Sequence, residues 1–232
     1  MGSRFVGWSV RRVDRKTITP FIESWHYSGG INGCISDYCY ALFCDQGMMV
    51  GAMFFGRMAM ANQWKRFSSS ANDVIELRRL CCKDDTPKNT ESFFIGKALR
   101  MLSKDWDGST VVSYADKEHG HSGIIYRASN FIELEEIKGA NVIVYNGKDY
   151  HDKTIRTKYK GVIKPYALRI KAALDSGDAF YKKTKGKHTY VYKIKRKREV
   201  KKGLMSAASI ALGGEPRYME LGIINLTTDR SK

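Results

Sequence analysis

The chain has 232 residues, 43% of them apolar and 12% aromatic, which suffices for one packed domain or one domain with an appendage. No apolar run reaches the roughly 18 residues of a membrane span. The N-terminus carries no uninterrupted apolar stretch of the secretory kind, so the sequence predicts a soluble, intracellular protein. The net charge of +16 is large for this length and points to a polyanion as partner.

In chain order, residues 5–13 (FVGWSVRRV) predict a short strand, then a helix entered at Thr19-Pro20 with Thr as cap and Pro in the first turn. Trp25-His26-Tyr27-Ser28-Gly29-Gly30 closes that helix, because the glycines let the backbone leave it. Residues 38–44 (YCYALFC) and 48–55 (MMVGAMFF) are β-rich and apolar throughout. Joined by Asp45-Gln46-Gly47, they predict a hairpin covered on both faces. Residues 57–72 are polar and irregular, a long loop of the kind that carries function.

From Val74 to Leu134 the pattern is dense. A strand at 74–82 (VIELRRLCC) leads into a polar loop at 83–92 (KDDTPKNTES), and an apolar-periodic helix follows at 93–102 (FFIGKALRML). A second strand at 110–116 (TVVSYAD) precedes the segment 119–131 (HGHSGIIYRASNF). Residues 141–145 (NVIVY) read as a strand turning at Asn146-Gly147. Residues 165–174 (PYALRIKAAL) read as a helix with Pro at its start and Gly177 beyond its end.

The positive charge is concentrated in residues 182–202, where eleven Lys or Arg face a single acid, Glu199. Tyr190, Val191, Tyr192 and Ile194 interleave the charges. The segment therefore reads as a basic β-rich surface. Lys182, Lys183, Lys193, Lys195, Arg196 and Arg198 would meet phosphates, and the aromatics could stack on bases. A solvated tail is the plainer reading of the same run. Residues 203–232 are weakly patterned and receive no role. The five cysteines, at 34, 39, 44, 81 and 82, do not show the roughly two-to-four-residue spacing of zinc ligand pairs. They read as structural thiols, with Cys39 and Cys44 on opposite faces of a strand.

Strand, phosphate-sized loop, helix, strand and tyrosine-bearing helix, in that order over 74–134, resemble the second half of a Gcn5-related acyltransferase. The resemblance implies an α/β (α+β) fold: a mixed sheet flanked by helices, residues 1–180 forming the catalytic domain. Residues 181–232 would be a basic extension packed on it or continuing it. It also implies a splayed strand pair and a helix N-terminus that holds a cofactor's pyrophosphate through free amides and the helix dipole. Lys88, Asn89, Thr90 and Ser92 occupy that position and become cofactor-binding candidates for an acyl-CoA. The family's Gln/Arg-x-x-Gly-x-Gly/Ala loop is missing, however, so an amino-acid-derived donor is equally open. Read without the resemblance, TPKNTES is an ordinary helix start capped by Thr86 or Asn89. Tyr126 falls on the family tyrosine that protonates a departing thiolate, and Asn130 stands where the family has glycine. The competing reading makes Tyr126 a core aromatic.

ELRRL, TPKNTESFFIG, SYAD and GHSGIIYRASNF, together with the His26-Tyr27 pair, more narrowly resemble the phage Mom family, from about Trp25 to about Thr157. That resemblance implies an enzyme that adds a carbamoylmethyl group to the N6 amine of adenine in double-stranded DNA, in the host cytoplasm, shielding phage DNA from restriction. Such chemistry needs a base flipped out of the stack, an aromatic face, an acceptor for the N6 protons and a cationic track. His26, Tyr27, Ser113, Asp116 and Tyr126 are then the catalytic candidates. Tyr114, His121, Arg127, His151 and Arg156 are nucleic-acid candidates. An iron site of two histidines and a carboxylate could draw on His26, His121, His151 and Asp116. Two other functions fit parts of the pattern: an N-acyltransferase acting on a small-molecule or protein amine, and a non-catalytic nucleic-acid binder. An adenine methyltransferase is excluded, since none of the four prolines is adjacent to another and an Asp/Asn-Pro-Pro-Tyr motif is impossible.

Overall fold

The structure, a computed structural model, describes residues 4–31, 33–60 and 62–195. Arg196, Arg198 and the segment 203–232 lie outside the described residues.

Strands β1 (Ser9–Val13), β2 (Tyr38–Phe43), β3 (Met49–Gly56) and β4 (Val74–Cys82) form an antiparallel meander. Strand β5 (Thr110–Asp116) lies parallel to β4 and completes the first five strands. Two further strands, β6 (Ile132–Glu133) and β12 (Lys187–Lys193), extend the sheet to the order β1-β2-β3-β4-β5-β12-β6. The expected α/β class, a mixed sheet flanked by helices, is what forms.

The doubly apolar hairpin explains the layering. Helix α1 (Arg15–Trp25) sets Ile18, Phe21 and Ile22 against Cys39, Ala41, Ala52 and Phe54 on one face. Helix α2 (Thr90–Asp105) sets Phe94, Ile95, Ala98 and Leu102 against Tyr40, Leu42, Met53 and Phe55 on the other. Each of the larger side chains among them (Ile, Leu, Phe, Met) contributes roughly 1.5–3 kcal/mol on leaving water. The short helix α3 (Ile124–Ala128) joins the α2 layer through Tyr126. Cys39 and Cys44 fall in opposite layers, and all five cysteines are free thiols.

A smaller sheet of β7 (Asn141–Tyr145), β8 (Lys148–His151) and β11 (Phe180–Lys183) has the order β11-β7-β8. Helix α4 (Pro165–Ser176) packs on it through Ile170 and Ala173 against Ile143. A two-stranded hairpin of β9 (Lys158–Tyr159) and β10 (Val162–Ile163) stands apart from both sheets. Chain passing back from β11 to β12 ties the small sheet to the large one. Lys182 Nζ lies 2.7 Å from Glu118 Oε1, and the Thr184 N–H donates to Ala140 O at 3.0 Å.

Three local expectations are corrected. Helix α1 begins at Arg15, not at Thr19-Pro20, because Asp14 caps it by accepting from the Thr17 N–H (2.8 Å) and hydroxyl (2.6 Å). Pro20 is tolerated inside α1, where Ile18, Phe21 and Ile22 anchor the helix and the Thr19 hydroxyl donates to Arg15 O. At α2 neither Thr86 nor Asn89 caps with its side chain: the Thr86 hydroxyl donates to Lys83 O, and Asn89 takes a left-handed φ of 73°. Finally, the aromatics among the basic residues face inward. Tyr190 is 0% exposed and packs on Tyr126, so it cannot stack on a base.

Candidate active site

The site exists because two strands part company. β4 and β5 pair only from Val74–Glu76 to Thr110–Val112. The β3–β4 register slips at this point, with Phe54 opposite Arg79 and Phe55 opposite Leu77, so Arg78 is an extra residue in β4. Such a bulge bends a strand and re-aims its side chains. Ser113, fully buried, donates its hydroxyl to Leu77 O at 3.3 Å, just past the last paired residue. Beyond it a cleft of about 450 Å³ opens. Its walls are the end of α1, residues 77–82 of β4, Tyr114 and Ala115 of β5, and residues 120–126.

The end of α1 carries His26 and Tyr27 to the mouth. His26 Nδ1 accepts from the Ser28 N–H at 3.1 Å and lies 2.8 Å from Ser28 Oγ. Arg79 Nε, sent this way by the bulge, donates to the same Ser28 Oγ at 3.0 Å. Burial, then the positive charge of Arg79, then His121 and His119, lower the His26 pKa to about 4. The imidazole is therefore neutral near pH 7. With Nδ1 occupied as an acceptor, its proton sits on Nε2. Tyr27, 52% exposed, has the His26 ring 4.3 Å from its centroid, His119 at 4.2 Å and His121 at 5.1 Å. Burial raises its phenol pKa, and burial lowers that of His121.

Asp116 ends β5 beside this group. Partial burial pushes its pKa up, but hydrogen bonds from Lys187 and the Glu118 N–H outweigh that and hold it below the usual range. Lys187 Nζ lies 2.9 Å from Oδ2 because β12 pairs Lys187 directly opposite Asp116. Tyr126 lines the inner wall, and burial raises its pKa to about 12, so the phenol keeps its proton. Tyr114 lines the wall from the other sheet face, its hydroxyl accepting from Gln63 Nε2 at 2.7 Å.

The cleft thus gathers His26, Tyr27, Tyr114, His121 and Tyr126, with Asp116 and Ser113 adjoining. Other candidates lie elsewhere or are committed. Arg127 Nη1 donates to Ser122 O, Glu133 and the Tyr190 hydroxyl, which ties α3 to β12. His151 stands on β8 and accepts from the Lys153 N–H, and Arg156 is paired with Asp152. Lys182 is paired with Glu118, Lys193 donates to Thr110 Oγ1 at 2.6 Å, and Lys183 and Lys195 are exposed.

Neither group raised from the sequence, an acyl-CoA at the start of α2 or an iron ion, finds a ready-made cradle among the described residues. At the start of α2, Thr90 is fully buried with its hydroxyl on Pro87 O, and the Ser92 hydroxyl donates to Asn89 O. Glu91 lines the cleft there, a negative charge where a pyrophosphate would need positive potential. That is a poor cradle for an acyl-CoA. The candidate iron ligands do not converge either. Among the described residues no group of three or more His, Cys, Asp or Glu is placed to hold a metal ion.

Four participants escaped the sequence reading: Ser28, Arg79, His119 and Glu76. Two adjacent arginines inside a largely apolar strand were the available signal for Arg79, and the His-Gly-His triplet was the signal for His119. Glu76 is 9% exposed on β4. It accepts from the Ala59 N–H, and Arg78 Nη1 lies 3.6 Å from its Oε2, so it pins the 57–72 loop over the sheet.

Comparison with known proteins adds lineage. The model of a family described as the Mom protein family matches residues 7–208. A curated protein, "Methylcarbamoylase mom" of Escherichia phage Mu, is 29% identical over 173 residues, 68% of this chain and 68% of its own. Among solved structures, a spermidine N-acetyltransferase from Vibrio cholerae, in complex with CoA and spermine, is 8% identical. It covers 81% of this chain and 96% of its own with a TM-score of 0.46.

Proposed function

The chain belongs to the Mom protein family, and from that membership we propose that it is a transferase adding a carbamoylmethyl-type group to the N6 amine of adenine in duplex DNA. The observation that carries the reading is the His26–Tyr27 pair at the mouth of the β4–β5 cleft, with an ionised carboxylate beside it and a protonated phenol within.

The N6 lone pair is delocalised into the purine ring, so the amine attacks only as it sheds a proton. The base is also stacked in the duplex and must be turned out to reach a cleft. Tyr27 and Tyr114 offer ring faces for it. As the bond from N6 to the donor's carbon forms, the bond from that carbon to the leaving group breaks. The N6 proton passes to the Asp116 carboxylate, which Lys187 and the Glu118 N–H keep ionised and oriented. The leaving group takes the Tyr126 proton. His26, neutral and protonated on Nε2, is a hydrogen-bond donor rather than a base, suited to the carbonyl oxygen of the incoming carboxamide.

The reading is tested by digesting DNA from cells that express the protein and weighing the nucleosides. A heavier adenosine is expected with the unaltered chain. It should disappear with His26→Ala and Asp116→Ala and fall sharply with Tyr126→Phe, each variant remaining folded. Adenosine of unchanged mass in every sample eliminates the proposal.

A further inference from the structure

The β9–β10 hairpin is built unlike the rest of the surface. Its two-residue turn, Lys160-Gly161, has φ of 49° and 84°, the double left-handed geometry that a tight I′ turn requires. Asn-Gly would adopt it at less cost, so a lysine is held at the tip despite an unfavourable backbone. The cross-strand pair next to the turn is Tyr159 with Val162. These two side chains share a face, and they are 62% and 68% exposed. Lys160 Nζ and Lys164 Nζ lie 5.8 Å and 5.3 Å from the Tyr159 ring centroid, and Lys158 adjoins them in β9.

An aromatic–aliphatic pair left in water costs free energy unless something covers it, and the surrounding charge restricts what that can be. Residues 141–185 hold eleven Lys or Arg against four Asp, which favours a polyanion with apolar surface of its own. Duplex DNA is such a partner, because its phosphates are exposed and its base faces become available at a parted step. The surrounding subdomain is also joined to the cleft. Lys182 of β11 pairs with Glu118, the residue before His119, whose ring lies against Tyr27.

We propose that the 158–163 hairpin is a DNA wedge: Tyr159 and Val162 insert at a base step while Lys158, Lys160 and Lys164 hold the flanking phosphates. The inference rests on the DNA-modifying reading above and deepens it, since a parted step lowers the cost of turning a base out.

The test uses the full chain and a duplex of about two helical turns carrying 2-aminopurine beside an adenine, read by anisotropy and by 2-aminopurine emission. The unaltered protein should bind with steep salt dependence and raise the emission as the base unstacks. Tyr159→Ala/Val162→Ala should weaken binding about tenfold or more and abolish the rise, with the salt slope unchanged. Lys160→Ala/Lys164→Ala should instead reduce the slope by roughly two. Tyr159→Phe should behave like the parent, because stacking needs the ring and not the hydroxyl. Thermal unfolding of the double variant should match the parent, as both side chains are exposed. Parent-like affinity and emission in Tyr159→Ala/Val162→Ala overturn the wedge and leave the DNA reading standing. An unaltered protein without salt-dependent affinity for the duplex overturns both.

Discussion

His26 shows how a few neighbours set the chemistry of one side chain. Its position, the residue that caps the end of α1 just before Tyr27-Ser28-Gly29-Gly30, follows from local sequence. Its protonation state does not. Burial, Arg79 and two other histidines bring the pKa to about 4, and the Ser28 N–H selects the tautomer. An NMR titration should therefore find His26 neutral at every pH above about 5. Arg79→Gln, which removes a nearby positive charge, should move the midpoint upward; titration of the parent near the ordinary histidine value would contradict the donor role. The unfolded chain binds a proton at this imidazole near its ordinary pKa of 6.5, whereas the folded chain does so only near 4. The contribution to stability is thus fully present above pH 6.5 and is lost as pH falls toward 4.

Among elements, the entry to α3 is tightly constrained. Gly123 has φ of +71°, and a Cβ there would lie 2.3 Å from the Tyr190 ring and hydroxyl. Gly120, three residues earlier, has nearly the same φ of +72° but nothing within 4 Å. Gly120→Ala should cost only the backbone penalty, about 1 kcal/mol. Gly123→Ala should cost roughly 2–4 kcal/mol, because the turn penalty and the displacement of a buried ring add. It should also reduce modification by shifting Tyr126. Urea denaturation of the two variants measures the difference, and equal losses would mean that Tyr190 does not brace this turn. The elements themselves were legible in the chain. Both hairpin strands, β4, β5, β7 and α4 lie where hydrophobic period and turn residues put them, because those signals are local. The start of α1 was missed because Thr19-Pro20 is a strong entry signal by itself, while the Asp14 cap lies just outside the apolar periodicity.

For the molecule as a whole, β12 decides where the catalytic unit ends. It is hydrogen-bonded between β5 and β6, with Tyr190 in the main core and Lys187 against Asp116. A boundary near residue 180 would cut that strand out of the sheet. A chain ending at residue 183 should consequently lose cooperative unfolding, and one ending at 195 should keep it. Equal urea midpoints for the two would show β12 to be dispensable. The same placement redistributes the basic surface. Among the described residues of the charge run, Lys182, Lys187 and Lys193 are engaged by Glu118, Asp116 and Thr110, so less of that charge is free than the run alone implies.

The amino-acid order alone laid down the strand–loop–helix–strand succession around the site, while its resemblance to the Gcn5-related and Mom families supplied the α/β class and nominated His26, Tyr27, Asp116 and Tyr126. The succession is written in contiguous residues whose spacing has a local physical meaning. Only the folded chain decided the rest: that an extra residue at Arg78 parts β4 from β5, that Arg79 and Ser28 govern His26, and that His119 joins Tyr27. Charges and aromatics from distant segments acquire roles only through register and burial, quantities that short-range periodicity does not encode.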